Sequence, residues 1–321
     1  MALTEQRWPA DARELADIQR FNSKLKWMPR FRIRNRIAPT LLQALLRVGQ
    51  VGGGAKLARH GLSVHTRYVT TPEGRVPLRI VQPKGPVKGV VLDFHGGGWV
   101  IGNAQMNDYL NSAMVRDCDV AVVSVDYRLA THTPIQGLLA DCLAAARWLL
   151  SDQTALFKGL PVIVVGESAG GHLAAATLLA LKSSPELLQR VKGAVLYYGV
   201  YDLTGTPSVR NAGRDTLVLD GPGMVDALRL LTPGLTDEQR QQPPLSPLYG
   251  DLSGLPPALM FAGELDPLRD DTFEIARRWG EVAEVEANLL PEGPHGVVQF
   301  PTVMGKRVTA YARSWINQRL A

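Results

Sequence analysis

The sequence predicts an α/β fold in which a mostly parallel central sheet is flanked by helices and covered by a helical cap. Three observations predict it. Short apolar runs alternate with helical patterns of ~12 residues or more, as buried parallel strands and their crossover helices do. One apolar run passes directly into Gly166-Glu-Ser-Ala-Gly-Gly171 and then a helical pattern. Two intervals, residues 1–60 and 203–255, lack the strand–helix alternation and are left over to form the cap.

Taken in order, residues before Gly61 read as loosely amphipathic helices. Leu15, Ile18 and Phe21 mark one apolar stripe, and Leu41, Leu42, Leu45 and Leu46 another. Gly52-Gly53-Gly54 ends that pattern as a helix stop or joint. No Gly-Lys-Ser/Thr follows it, so it is not a phosphate loop. Residues 64–70 and 76–81 read as a hairpin around Pro72-Glu73-Gly74. Strand patterns follow at 89–94, 120–125, 161–165, 191–197, 258–261 and 285–290. Helical patterns lie at 106–116, 136–150, 169–182, 269–279 and 302–317. The length of 321 residues suits one large domain with a cap, or two domains. The division expected is a cap segment at 1–60 and a catalytic domain at 61–321, with 203–255 inserted as further cap.

Ser168 stands where a sharp strand-to-helix turn exposes its hydroxyl at the sheet edge, with small residues two positions away on either side. A serine hydroxyl needs a base. On such sheets the order along the chain is Ser, acid, His. Of six histidines, only His172 and His295 follow Ser168. His172 lies on the same helix with no acid between, which leaves His295, just after the last strand pattern. Asp266 ends the preceding strand's loop and is the expected orienting acid. It also reads as a helix N-cap before Pro267, and Glu264 is the weaker substitute. His95-Gly96-Gly97-Gly98-Trp99 follows an early strand, where backbone N–H groups of Gly97 and Gly98, with that of Ala169, would receive an oxyanion.

Together these motifs resemble the hormone-sensitive-lipase-like family of α/β-hydrolases, the bacterial family IV carboxylesterases. The resemblance is carried by His95-Gly-Gly-Gly-Trp99, Asp126-Tyr-Arg-Leu-Ala130, Gly166-Glu-Ser-Ala-Gly-Gly171, Asp266-Pro-Leu-Arg-Asp-Asp271 and Pro294-His-Gly296. It implies hydrolysis of short-to-medium acyl esters through an acyl-enzyme, without a cofactor or metal. It assigns Ser168, Asp266 and His295 as the triad and Gly97, Gly98 and Ala169 as the oxyanion hole. It gives Tyr127 and Arg128 a supporting role. Trp99, Phe21 and Val297 are the expected substrate contacts. An amidase or deacetylase on acylated small molecules would use the same machinery. A non-catalytic small-molecule receptor on this fold is opposed by the filled triad. The chain departs from the family with Thr131-His132 after Ala130, Val297 after Gly296, and Glu167 before the serine.

Composition excludes little else. The hydrophobic fraction of 45% and charged fraction of 20% are those of a globular protein. The net charge is +5, with four arginines and no acid from Arg30 to Arg36. Such a stretch can meet nucleic acid or an anionic membrane, but reads more simply as a solvated face of the cap. Cys118 and Cys142 form no metal or disulfide pattern and are expected free and buried. No apolar run reaches the ~20 residues of a membrane span, and no signal peptide is legible. The expectation is therefore a cytoplasmic protein acting on a small-molecule ester, with no nucleic-acid partner and a homodimer left open.

Overall fold

The computed structural model describes residues 3–35, 37–151 and 154–321. Arg36, the last of the four clustered arginines, lies outside them. Nine strands form one sheet: β1 (Leu3–Arg7), β2 (Ser63–Thr71), β3 (Gly74–Gln82), β4 (Gly89–Phe94), β5 (Val120–Val125), β6 (Val162–Glu167), β7 (Val191–Tyr197), β8 (Ala258–Gly263) and β9 (Val285–Leu290). Their order across the sheet is β1-β9-β8-β7-β6-β4-β5-β3-β2. All neighbours run parallel except β3, which is antiparallel to both β2 and β5.

Alternate residues of the central strands feed two cores, one on each face. Ala121, Val123 and Val125 of β5 pack with Leu138, Leu173 and Trp279 of the helices Ile135–Leu150, Ala169–Leu181 and Arg269–Gly280. Val120 and Val122 face the other way, toward Met114, Val308 and Ile18 of Asp108–Cys118, Val303–Arg319 and Ala12–Leu25. This is the doubly covered parallel sheet that near-continuous apolar strands require.

One reading changes. Leu3–Arg7 is not helical; it is an edge strand paired in parallel with β9. Its sequence, Leu-Thr-Glu-Gln-Arg, has little apolar content because the strand is largely solvent-exposed, so its pattern gives no strand signal. Trp8, immediately after it, is buried edge-on against Phe261 and Tyr311. The N-terminal segment therefore begins in the sheet. The helices Ala12–Leu25, Ile37–Gly49 and Gly53–Arg59 follow, the last two broken at Gly52, whose φ is 82°. The 203–255 interval carries only short helices, Met224–Leu231 being the longest among the described residues. Cys118 and Cys142 are free and buried.

Candidate active site

The sheet order places the site. β4 lies beside β6 with Phe94 opposite Gly166, so the glycine loop after β4 and the turn after β6 emerge side by side. β8 and β9 follow on the other side and deliver the loops carrying Asp266 and His295 to the same edge.

Ser168 adopts φ 52° and ψ −121°, a strained conformation for a residue with a side chain. Its neighbours are small because the turn has no room. A Cβ on Gly166 would lie 2.3 Å from the Gly170 carbonyl oxygen, and one on Gly170 only 1.9 Å from that of Phe94. The strain is held by a hydrogen bond from Ser168 N–H to Tyr197 O at 2.9 Å and by the helix that starts at Ala169.

His295 Nε2 lies 3.0 Å from Ser168 Oγ, and His295 Nδ1 lies 2.8 Å from Asp266 Oδ2. An ionised carboxylate only accepts, so Nδ1 carries the proton and Nε2 is left to accept from the serine hydroxyl. Asp266 is buried, and its other oxygen accepts from Leu268 N–H at 2.9 Å. The helix Arg269–Gly280 begins only after Leu268, so Asp266 closes the turn ahead of that helix rather than capping it, while its Oδ2 faces His295. Glu264 is occupied elsewhere, bridged to Arg7 at 2.8 and 3.0 Å. Asp271 faces away and accepts from Tyr201 N–H, Asp202 N–H and Thr206 Oγ1.

The glycine loop is held open by its backbone and clamped from several sides. Gly97 and Gly98 have φ of 108° and 58°, and a Cβ on Gly97 would strike the Ile101 carbonyl at 2.1 Å. His95 is buried, stacks on Tyr127 at 4.1 Å and donates from Nδ1 to Gly96 O at 2.8 Å. Burial pushes its pKa down to about 4, so it stays neutral. Tyr127 Oη donates to His95 O at 2.6 Å, the supporting contact expected of that motif. Arg128 instead forks onto Asp141 at 2.8 Å from both nitrogens. Trp99, also at positive φ, donates its indole N–H to His172 Nδ1 at 3.1 Å, so His172 must donate from Nε2 to Leu245 O at 2.7 Å. Among the described residues, the N–H groups of Gly97, Gly98 and Ala169 donate to no protein acceptor. They remain available to a developing oxyanion.

Ser168 opens into a cavity of about 770 Å³. Trp99 and Gly98 form its floor with Ser168, Leu228, Leu231 and Met224 supply apolar wall, and Arg30, Arg32, Arg34 and Arg214 line it too. Arg32 is bridged to Asp220 at 3.0 Å. Among the expected substrate contacts, only Trp99 lines this cavity. Phe21 packs on Phe300, ring centres 4.8 Å apart, because its helix lies against the C-terminal helix rather than over the serine. Val297 is fully buried in the core beneath the His295 loop. Phe31 takes the place expected for Phe21, on a segment bridged to Leu219 of the 203–255 insertion. Two glutamines, Gln299 and Gln43, give no sequence signal. Gln299 and Glu167 are joined across the base of the site, and Gln43 exchanges hydrogen bonds of 2.7 and 2.8 Å with Gly102. Glutamines so far apart along the chain carry no motif. Among the described residues no three His, Cys, Asp or Glu side chains gather as a metal site.

Residues 91–299 match the family of the alpha/beta hydrolase fold. The chain is 34% identical over 251 residues to carboxylesterase NlhH of Mycobacterium tuberculosis, covering 74% of this chain and 76% of that one. It is 30% identical over 312 residues to esterase LipI of the same organism, covering 88% and 95%. Among solved structures, a hormone-sensitive lipase from a metagenome library superposes with a TM-score of 0.75 at 26% identity, covering 95% of this chain and 99% of that one.

Proposed function

This chain belongs to the hormone-sensitive-lipase-like carboxylesterases of the α/β-hydrolase fold, and on that premise we propose that Ser168 cleaves short-to-medium acyl esters through an acyl-enzyme. The single observation that carries the assignment is the Ser168–His295–Asp266 line, with contacts of 3.0 and 2.8 Å.

In the proposed reaction Ser168 Oγ attacks the ester carbonyl carbon while its proton passes to His295 Nε2. Asp266 stabilises the resulting imidazolium through Nδ1–H without taking the proton. The carbonyl oxygen, now negative, receives the N–H groups of Gly97, Gly98 and Ala169. Collapse breaks the ester C–O bond, and the alcohol leaves with the proton held on Nε2. Water then attacks the acyl-serine, giving its proton to Nε2; the acid departs and Ser168 Oγ recovers its hydrogen. The segment 30–51 within 1–60 and the insertion 203–255 form the cap over the 61–321 catalytic domain in this reading.

The test is a fluorophosphonate probe with peptide mapping. Adduct on Ser168, and Ser168→Ala turnover reduced at least a thousandfold, are expected. Undiminished turnover in Ser168→Ala would overturn the reading. No helix among the described residues is long and apolar enough to cross a membrane. A cytoplasmic location belongs to the proposal and is read by cell fractionation; a homodimer is read by molar mass in solution.

A further inference from the structure

From Lys24 to Arg59 the chain carries nine Lys and Arg residues and no Asp or Glu. Within this stretch the helix Ile37–Gly49 buries little of its surface. Its inward face is narrow: Pro39 and Gln43 are its buried residues, and Gln43 is bonded to the backbone of Gly102. Its outward face is apolar. Ile37, Leu41, Leu45 and Val48, at the spacing of one helix face, are each 65–73% exposed. Val51 and Trp27 extend the surface at 83% and 91% exposed. Met28 and Leu42 line a common groove of about 420 Å³, which joins the turn at Met28 to the flank of the helix. An apolar row of this extent is unfavourable in water and calls for a cover.

We propose that this face docks on an anionic phospholipid surface. The charge selects that occupant. A second copy of this chain would bring two basic stretches without acids of their own together, whereas anionic headgroups meet the cations while the acyl boundary takes the leucines. Among the described residues of the stretch, only Arg32 has an acid partner at ion-pair distance, Asp220. The outward leucines and Trp27 stand where an interfacial helix places them. Arg30, Phe31 and Arg32 line both the groove and the cavity holding Ser168, so docking sets the cavity mouth beside the lipid. The inference concerns binding alone and does not rest on the catalytic assignment.

The test is co-sedimentation of the full chain with phosphatidylcholine vesicles, with and without phosphatidylglycerol. Binding is expected to be about tenfold stronger with phosphatidylglycerol and to weaken as salt screens the charges. The double variants Leu41→Ser/Leu45→Ser and Lys24→Glu/Lys26→Glu, all at exposed positions, should each lower vesicle binding about tenfold. Their thermal melting and turnover of a water-soluble short ester should be unchanged. Three results would overturn the proposal. One is no binding to the anionic vesicles, and another is equal binding by the leucine variant. The third is a lipid-free dimer that the leucine variant abolishes, which would give this face to a second copy.

Discussion

Gln299 donates from Nε2 to both carboxylate oxygens of Glu167, at 2.8 and 2.9 Å. The two residues belong to different halves of the site. Gln299 ends the 3₁₀ turn Val297–Gln299 that begins just after His295-Gly296, and Glu167 is the last residue before Ser168. Tyr198 Oη donates to the same carboxylate at 3.0 Å, and its ring meets the His295 imidazole edge-on at 4.8 Å. Glu167 is therefore the node through which the base loop and the nucleophile turn are held in one register.

Gln299→Ala should consequently lower kcat by roughly ten- to a hundredfold, the cost of loosening a base by a fraction of an ångström, with little change in KM. The residue touches neither Ser168 nor the cavity, so loss of melting temperature should be small. Steady-state kinetics with a thermal melt checks this. Wild-type kcat in the variant would show that His295 is positioned without the bridge.

The contrast between these residues and the triad shows what a sequence carries. Ser168, Asp266 and His295 were legible because each sits in a turn whose backbone demands particular neighbours, Gly166 and Gly170 most of all. Strands β4 to β9 were legible because both faces are buried and the runs are apolar. Leu3–Arg7 was not, since an exposed edge strand needs only backbone pairing to β9. Phe21 and Phe31 are alike in sequence; which of them reaches the serine depends on the Phe31–Leu219 bridge, a long-range contact with no local signature. Gln43 and Gln299 act through long-range hydrogen bonds that no local pattern reveals.

Gly170→Ala tests the packing of the nucleophile turn. The added methyl would sit 1.9 Å from Phe94 O and 2.6 Å from His95 O, both backbone atoms of the adjacent strand end. Relief requires the helix Ala169–Leu181 to move off the sheet, carrying Ala169 N–H with it. Overpacking of this kind costs about 1–3 kcal/mol. A lower urea midpoint together with near-complete loss of turnover is expected; a variant with wild-type stability would mean the turn is free to shift.

His172 gives a pH prediction. Burial pushes its pKa down to about 4 from 6.5, and its place between Trp99 and Leu245 needs the neutral ring. A folded pKa below the unfolded one means that unfolding takes up a proton between those values. The contribution is full above pH 6.5 and is lost as pH falls toward 4, on the order of 3 kcal/mol in all. His95 behaves in the same sense. Asp93 and Asp271, raised by burial to about 6 and about 7, act oppositely, losing stability as pH rises from about 4. The wild-type slope is thus partly cancelled, and the difference from His172→Asn isolates the histidine. The wild-type advantage should shrink by about 3 kcal/mol between pH 7 and pH 4. A pH-independent difference in urea unfolding would contradict a neutral buried ring.

Phe31 is where size selection can be altered without touching a reacting group. Its ring lies so close to Gly98 that a Cβ there would stand 2.8 Å from Phe31 Cε1 and 3.1 Å from Ile33 Cδ1. The cap segment is thus pressed onto the glycine loop, and the same ring lines the cavity above Ser168. A short acyl or alcohol group gains contact with this ring, while a long one must pass beside it. Each CH₂ buried is worth ~0.8 kcal/mol, so affinity rises with chain length only until the enclosed part is full. For the wild type a maximum of kcat/KM at roughly four to six acyl carbons is expected. Phe31→Ala removes the ring and opens the cavity toward the groove beside Met28 and Leu42, which shares this wall. Two changes should follow together: a fall of about tenfold on acetyl and butyryl esters, from lost contact, and a shift of the optimum to longer chains. An ester series of increasing acyl length, run on both proteins, measures it. An unchanged chain-length profile in Phe31→Ala would place size selection elsewhere, on the Met224–Leu231 wall.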